Sequence, residues 1–298
     1  MVESRLRIGL IGAGPWACQV HAPGIANHPG TRLVAVYSRR AGAAAELAEQ
    51  HGARVADDPT ELISQVDAVA LAVPPAVQAE YALLAAKAGK HLILEKPVAA
   101  TLDDARRLAD AIADAGVASL VVLTRRFAPE TIEWLASARQ RGAWAGGDAR
   151  WYAGALLSGR YSGSAWRHAG GALMDVGPHV LDLLDAALGE IVEVLAAHRG
   201  EATDLWHLVL AHEGGATSTA SLSLRLPINP PVVETSIYGE HGLLMLSGRD
   251  SGAADCFAAL LDDLLTMVAT GITQHACDVR RGVHLQRVIE LANLRANQ

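Results

Sequence analysis

The feature that most limits how this chain can fold is an alternation repeated across its first 123 residues. Short, nearly unbroken apolar runs (RLRIGLIG, TRLVAVYS, VDAVALAV, KHLILE and GVASLVVL) are separated by alanine-rich stretches with helical spacing. These begin at Ala17 and continue as AGAAAELAEQHG, PAVQAEYALLAAKAG and TLDDARRLADAIADAG. A strand with one wet face alternates apolar and polar residues, whereas a run that is apolar throughout is buried on both faces. Strands that alternate with helices are parallel, because each crossover returns the chain to the same end of the sheet. Residues 1–123 are therefore predicted to form a parallel sheet covered by helices. Gly52, Gly89 and Gly116 stand where several of those helices should stop, since a glycine readily takes the left-handed conformation that ends a helix.

Beyond Arg126 the pattern changes. A helical stretch (PETIEWLASARQ) precedes a strand around ARWYAG and a glycine-led helix, GGALMDVGPHVLDLLDAAL. Five strand-like segments then follow with no helix between them: EIVEVLAAH, DLWHLVLAHE, ATSTASLSLRL, VVETSIYGE and GLLMLS. Direct succession favours antiparallel pairing. In TASLSLRL, Leu222, Leu224 and Leu226 share one face while Ser221, Ser223 and Arg225 share the other, as a period of two requires. Residues 124–298 are thus predicted as an α+β domain with a largely antiparallel open sheet. One sheet face packs on helices; the other is wet or used for association.

The first strand runs into Gly12-Ala13-Gly14-Pro15-Trp16-Ala17, the pattern of a phosphate-cradling turn between a strand and a helix. Gly12 permits the tight turn, Gly14 lets backbone approach a pyrophosphate, and Ala17 lets helix and strand pack closely. The helix that follows offers free N–H groups and the positive end of its dipole. At the end of the second strand, Ser38, Arg39 and Arg40 occupy the place where a site for NAD usually carries an acid for the ribose hydroxyls. No acid occurs between Glu3 and Glu46. A hydroxyl and two guanidinium groups suit a 2′-phosphate, so NADP is the expected cofactor, with NAD as the alternative.

In HLILEKPVAA the apolar run stops at Glu95-Lys96-Pro97. Ligands of parallel sheets bind beyond the carboxyl ends of the strands, and Lys96 follows such an end. Pro97 fixes its own φ and keeps Lys96 out of helical geometry. Lys96 is read as facing a bound nicotinamide ring; a surface lysine paired with Glu95 is the plainer alternative. In the glycine-led helix, at about 100° per residue, Asp175, His179 and Asp182 fall within about 60° of one another. Leu173, Val176, Val180, Leu183 and Leu184 lie opposite, so the polar stripe is expected to face something other than the core. A metal held by Asp175 and His179 lacks a recognisable third ligand and is not expected.

The net charge is −7 with no long basic run, which argues against nucleic acid or an anionic membrane as partner. Three cysteines, Cys18, Cys256 and Cys277, lie far apart with no CxxC pair. Neither a zinc site nor a disulfide framework is indicated, and a reducing compartment is the default. No uncharged apolar stretch is long enough to span a bilayer. A cytoplasmic protein is expected.

GLIGAGPWA, VPPAVQAEYALLAAKAGKHLILEKP and WRHAGGALMDVGPHVLDLL, in this order and spacing, resemble the Gfo/Idh/MocA oxidoreductases. The resemblance implies a Rossmann domain followed by an α/β domain with an open sheet, often used for homo-oligomerisation. It implies Lys96, Asp175 and His179 as catalytic residues, and adds Val73, Pro74 and Glu95 to the cofactor-binding residues together with Pro15, Trp16 and Lys96 itself. Trp166 and Arg167 match the family pattern as pocket wall and anchor for substrate oxygen, with simple packing as the alternative. The implied reaction is reversible hydride transfer between nicotinamide and a sugar, polyol or related hydroxy or keto compound. A non-catalytic nucleotide sensor on the same fold is the alternative from another class, and a reductase of an imine or a double bond is a third. Three departures from the family pattern stand out: Ala169 for a common glycine, Pro178 beside His179, and Gln78 where many members have histidine.

Overall fold

The computed structural model describes residues 5–298. Its backbone divides into two units, the first comprising residues up to Phe127 with Gly252–Val283, the second Ala128–Ser251 with His284–Gln298.

The first unit is built on β1 (Leu6–Ile11), β2 (Thr31–Tyr37), β3 (Arg54–Val55), β4 (Ala68–Leu71), β5 (His91–Leu94) and β6 (Ser119–Val121). All pair in parallel, in the order β3-β2-β1-β4-β5-β6. Every residue of β4 is buried, as the continuous apolar runs require. Between the strands lie α1 (Ala22–Asn27), α2 (Ala41–Gln50), α3 (Pro59–Ser64), α4 (Pro75–Lys87) and α5 (Leu102–Ala115). α1 continues from a π-helical turn over Ala17–His21, so the chain is helical from Pro15 onward. Gly52, Gly89 and Gly116 have φ of 63°, 70° and 62°, the left-handed stops read from the sequence. α3 and β3 are elements the sequence reading passed over. Asp58 caps α3 by accepting the Glu61 N–H at 2.8 Å, and Glu61 reaches back to the Asp57 N–H at 2.7 Å.

In the second unit, α6 (Pro129–Arg141) leads into β7 (Trp144–Tyr152). Two helices follow, α7 (Ala165–Asp175) and α8 (Gly177–Leu188), where one was expected. Then come β8 (Ile191–Gly200), β9 (Leu205–His212), β10 (Thr217–Ser223), β11 (Val232–Gly239) and β12 (Gly242–Ser247). They form one sheet in the order β12-β11-β7-β10-β9-β8. Only β7 and β10 pair in parallel; the other neighbours are antiparallel. Ser218, Ala220 and Leu222 of β10 are buried while Thr217 and Thr219 are exposed. Ser223, expected on the face away from the leucines, is however fully buried with its hydroxyl donating to Thr203 O at 2.7 Å, and the strand ends there, before Leu224 and Leu226.

The closing helices are α9 (Ala253–Thr270) and α10 (Val279–Ala296). The sequence reading grouped all of 124–298 together, whereas Gly252–Val283 cluster with the first unit. The reason is local: Phe257 of α9 is fully buried with its ring 4.7 Å from that of His21. A Cβ on Gly24 would lie 2.5 Å from the same phenyl ring, so only glycine there admits this helix. Among the described residues no helix is long and apolar enough to cross a membrane.

Candidate active site

In a parallel sheet ordered 3-2-1-4-5-6 the connections leave β1 and β4 in opposite directions, opening a crevice at the carboxyl ends of these two strands. The glycine turn sits there. The Gly12 N–H donates to Tyr37 O at the end of β2 (2.8 Å), and the Ala72 N–H after β4 donates to Ile11 O (2.9 Å). Gly12 has φ +127°, and a Cβ on it would stand 2.3 Å from Ala72 O. The glycine is needed twice over, for conformation and for room. Gly14 differs: a Cβ there would meet nothing within 4 Å. The fold leaves open space in front of its backbone, a cradle a side chain would fill. Ala17 is fully buried, consistent with close packing behind the turn.

A groove runs from this turn over the ends of β2 and β4. Gly12, Gly14, Ser38, Arg39, Arg40, Val73 and Pro74 line it, as read from the sequence. So do Tyr37, Val77 and Tyr81, which that reading did not single out. Val77 and Tyr81 of α4 are spaced by four residues, the spacing of one helix face, and that was the available signal. The rings of Tyr37 and Tyr81 meet edge to face at 6.2 Å. Burial, with Tyr37 alongside, pushes the Tyr81 phenol above its ordinary pKa, so it stays a neutral hydrogen-bond donor. Arg40 donates through Nη2 to Ala13 O at 3.0 Å, pinning it to the turn, while Arg39 is exposed. An open backbone cradle, a helix start, two arginines and an aromatic wall fit a nicotinamide dinucleotide.

Pro15, Trp16, Glu95 and Lys96 lie outside that groove lining. Trp16 donates through Nε1 to Glu95 Oε1 at 2.7 Å, and His21 Nε2 lies 2.8 Å from the same oxygen. The carboxylate expected to touch cofactor thus ties the glycine turn to the end of β5. Lys96 is half-buried and joined to Pro97 by a cis peptide. Gln78 of α4, fully buried, bonds the backbone of this turn.

In the second unit the predicted residues gather around the break between α7 and α8. Asp175 is the last residue of α7 and His179 the third of α8, with Val176 between the helices and Pro178 at the second position of α8. The bend expected at Pro178 comes two residues earlier, because proline fits the first turn of a helix and not its interior. With the helix broken, the polar stripe is not a wet face: Asp175, His179 and Asp182 are 9%, 8% and 1% exposed. The Arg167 Nε donates to Asp175 Oδ2 at 3.0 Å, and its guanidinium lies 4.4 Å from the Tyr161 ring centroid and 4.5 Å from that of Trp166. Trp166 is therefore a wall for the arginine. The His179 imidazole stacks on Trp151 of β7, centroids 5.9 Å apart and planes 23° from parallel.

A second break lies inside α7. Gly171 has φ 62° and ψ −162°, a conformation essentially reserved for glycine. Against it sits Asp204, fully buried, whose Oδ2 accepts the Ala172 N–H at 2.6 Å. Its Oδ1 accepts from Arg199 Nε at 2.9 Å and from Trp206 Nε1 at 3.2 Å. Sequence reasoning missed this aspartate, because nothing local to Asp204 announces a partner 32 residues away.

Comparison with known proteins agrees with this geometry. Residues 6–123 match the family model described as "Oxidoreductase family, NAD-binding Rossmann fold", and residues 143–245 match the "GFO/IDH/MocA C-terminal domain". The chain is 37% identical over 127 residues (42% of it, 40% of the relative) to 4-carboxy-2-hydroxymuconate-6-semialdehyde dehydrogenase of Sphingobium sp. (strain NBRC 103272 / SYK-6). It is 37% identical over 134 residues (44% of it, 38% of the relative) to D-glucoside 3-dehydrogenase of Escherichia coli (strain K12). These matches thus span less than half the length of either relative. The crystal structure of GenD2 from gentamicin A biosynthesis, in complex with NAD, superimposes with a TM-score of 0.88 at 19% identity, covering 100% of this chain and 96% of that one. At that identity the likeness establishes the fold alone.

Proposed function

Since this chain belongs to the Gfo/Idh/MocA oxidoreductase family, we propose that it is an enzyme exchanging hydride between a nicotinamide dinucleotide and the carbinol or carbonyl carbon of a sugar, polyol or related hydroxy or keto compound. The observation that carries this reading is the open backbone cradle at Gly14 beside the groove over β1, β2 and β4. The relatives named for dehydrogenation of a glucoside and of a semialdehyde support the reaction class.

The dinucleotide, when bound, supplies the hydride donor or acceptor; the chain binds, orients and handles protons. The turn at Gly12 and Gly14 holds the pyrophosphate, with Arg39, Arg40 and Ser38 on the adenosine side. Absence of a ribose-binding acid in that stretch and the presence of two guanidinium groups favour NADP over NAD. Lys96 hydrogen-bonds the reacting oxygen and stabilises alkoxide charge as it develops. His179 accepts the hydroxyl proton on oxidation and returns it on reduction. Asp175, already bonded to Arg167, orients a neighbouring substrate hydroxyl, and Trp166 with Arg167 forms the wall beside it. We also propose a homo-oligomer formed through the second unit's sheet, where Val209, Tyr238, Leu243 and Met245 leave apolar surface exposed.

The test is a panel of sugars, polyols and ketones assayed with NADP and NAD, following absorbance of the reduced ring. Turnover with at least one hydroxy or keto compound is expected. Lys96→Ala and His179→Ala should each lower kcat by about a hundredfold or more while cofactor binding survives. Arg39→Ala should weaken NADP by about tenfold, the loss of one charge-assisted contact, and leave NAD unchanged. Full turnover in both catalytic variants would end the assignment.

A further inference from the structure

Gln78 lies in the first turns of α4, next to Val77 and one turn after Pro74, both of which line the dinucleotide groove. Its side chain turns the other way and is fully buried. The carboxamide oxygen accepts the Glu95 N–H at 2.8 Å. Its nitrogen donates to Glu95 O at 2.6 Å, and is shared with Val98 O at 3.1 Å and Pro97 O at 3.2 Å. The orientation is unambiguous, because a carboxamide nitrogen cannot accept from the Glu95 N–H. One side chain therefore satisfies the backbone immediately before Lys96 and the two carbonyls immediately after it.

Gln78 thus gives four backbone groups of this turn a protein partner. The turn carries no strand partner beyond Leu94, since the β5–β6 pairing ends at Leu94 and Val121. Few other fixed donors are on offer: Pro97 itself has no N–H to contribute. Burial strengthens the hold, since in a water-poor site the same bonds are stronger and their loss costlier.

We propose that Gln78 is a positioning residue for Lys96: through the backbone on either side, it fixes where the amine stands relative to the dinucleotide groove that its own helix borders. This rests on the reading of Lys96 as the residue at the nicotinamide. The proposal assigns Gln78 no contact with substrate or cofactor. Displacement of a reacting group by about 1 Å costs roughly a hundredfold in rate, so a residue that sets backbone position at this point governs catalysis without touching it.

The experiment needs no knowledge of the substrate. The chain holds only three lysines, Lys87, Lys90 and Lys96, and Lys87 is exposed on α4 and serves as an internal reference. The full-length protein is acetylated with acetic anhydride, with and without saturating NADP, and the rate at each lysine is read by mass spectrometry. In the wild type NADP should slow acetylation of Lys96 by about tenfold relative to Lys87, because the ring covers the amine; tenfold corresponds to about 1.4 kcal/mol. In Gln78→Met, which keeps length and removes every hydrogen bond, protection should fall to about twofold. NADP affinity, measured by tryptophan fluorescence, should stay within about threefold of wild type, a change of under about 0.7 kcal/mol. Gln78→Glu, which keeps an acceptor and loses the donors, should behave like Gln78→Met. If Gln78→Met does not fold, Gln78→Asn, too short by one methylene to reach the turn, takes its place. Wild-type protection retained in folded variants overturns the role of Gln78 alone. A wild-type Lys96 acetylated equally with and without NADP overturns the placement of Lys96, and this proposal with it.

Discussion

Asp204→Ala is the perturbation whose cost the structure defines most closely. The carboxylate is fully buried and accepts from Ala172 N–H, Trp206 Nε1 and Arg199. These donors are not equivalent. The Arg199 side chain is 39% exposed and can turn to water, so its loss counts for about 0–1 kcal/mol. The Ala172 N–H sits at a fully buried residue and Trp206 is 3% exposed; each donor stranded without an acceptor costs about 1–3 kcal/mol. The sum is about 4 kcal/mol, a large share of the roughly 5–15 kcal/mol that holds a typical domain together. Urea denaturation followed by tryptophan fluorescence measures it. A second variant separates this account from generic loss of packing. Gly171→Ala places a Cβ 2.2 Å from Asp204 Oδ2, so alone it combines steric overlap with backbone strain. In the Asp204→Ala background the overlap disappears and only strain of about 1–3 kcal/mol remains. The two substitutions must therefore be less than additive, by about 1 kcal/mol or more. A cost for Asp204→Ala below about 1 kcal/mol, or strict additivity, would refute the reasoning.

Three further outcomes are expected. Gly12→Ala, with a Cβ 2.3 Å from Ala72 O, should lower both the melting temperature and NADP affinity. Gly14→Ala should leave the unliganded melting temperature unchanged, since nothing lies within 4 Å, yet abolish the rise in Tm on adding NADP; a retained rise would show that the cradle holds no phosphate. On pH, burial holds the His91 and His212 imidazoles below their ordinary pKa, so the unfolded chain binds those protons more readily than the folded one. Their contribution is complete above the unfolded value of about 6.5 and is lost as pH falls from there through the depressed folded values, with a slope of at most about 1.4 kcal/mol per pH unit for each group. His91→Gln should flatten this acid limb in urea titrations between about pH 5 and 6.5, and an unchanged limb would count against His91 as its source.

What could be read from the sequence was whatever a local pattern encodes. The β1-turn-helix unit declared itself because a buried strand, a tight turn and a helix start each restrict nearby residues, and Gly12, Gly14, Ser38, Arg39 and Arg40 duly border one groove. α3 was equally local: Asp58, Pro59 and Glu61 spell a helix start, and the signal was passed over in a segment of only six residues. β3 offered no such signal, since two exposed residues pair with β2 through backbone alone.

The rest depended on partners far apart in the chain, which a periodicity argument cannot supply. A helical wheel drawn through residues 173–184 assumes one continuous helix, and that assumption failed at Val176. It failed for a reason visible only in part beforehand. Pro178 forbids a helix interior, but the place of the break is set by where the proline is tolerated, in the first turn of α8, while Asp204 holds the earlier kink from 32 residues away. Asp175 and His179 were expected to face something other than the apolar core, and both are buried, beside Arg167 and Trp151 respectively. Glu95 shows the same limit in the first unit. The family resemblance implied a cofactor contact for it and gave no sign that its carboxylate is bonded by Trp16 and His21, 79 and 74 residues earlier. Residues that meet a ligand and residues that brace those which do are drawn from the same polar alphabet. Only the distances between them tell the two apart: the linear pattern marked Gln78 and Glu95 without giving either a bracing role, and left Asp204 unmarked.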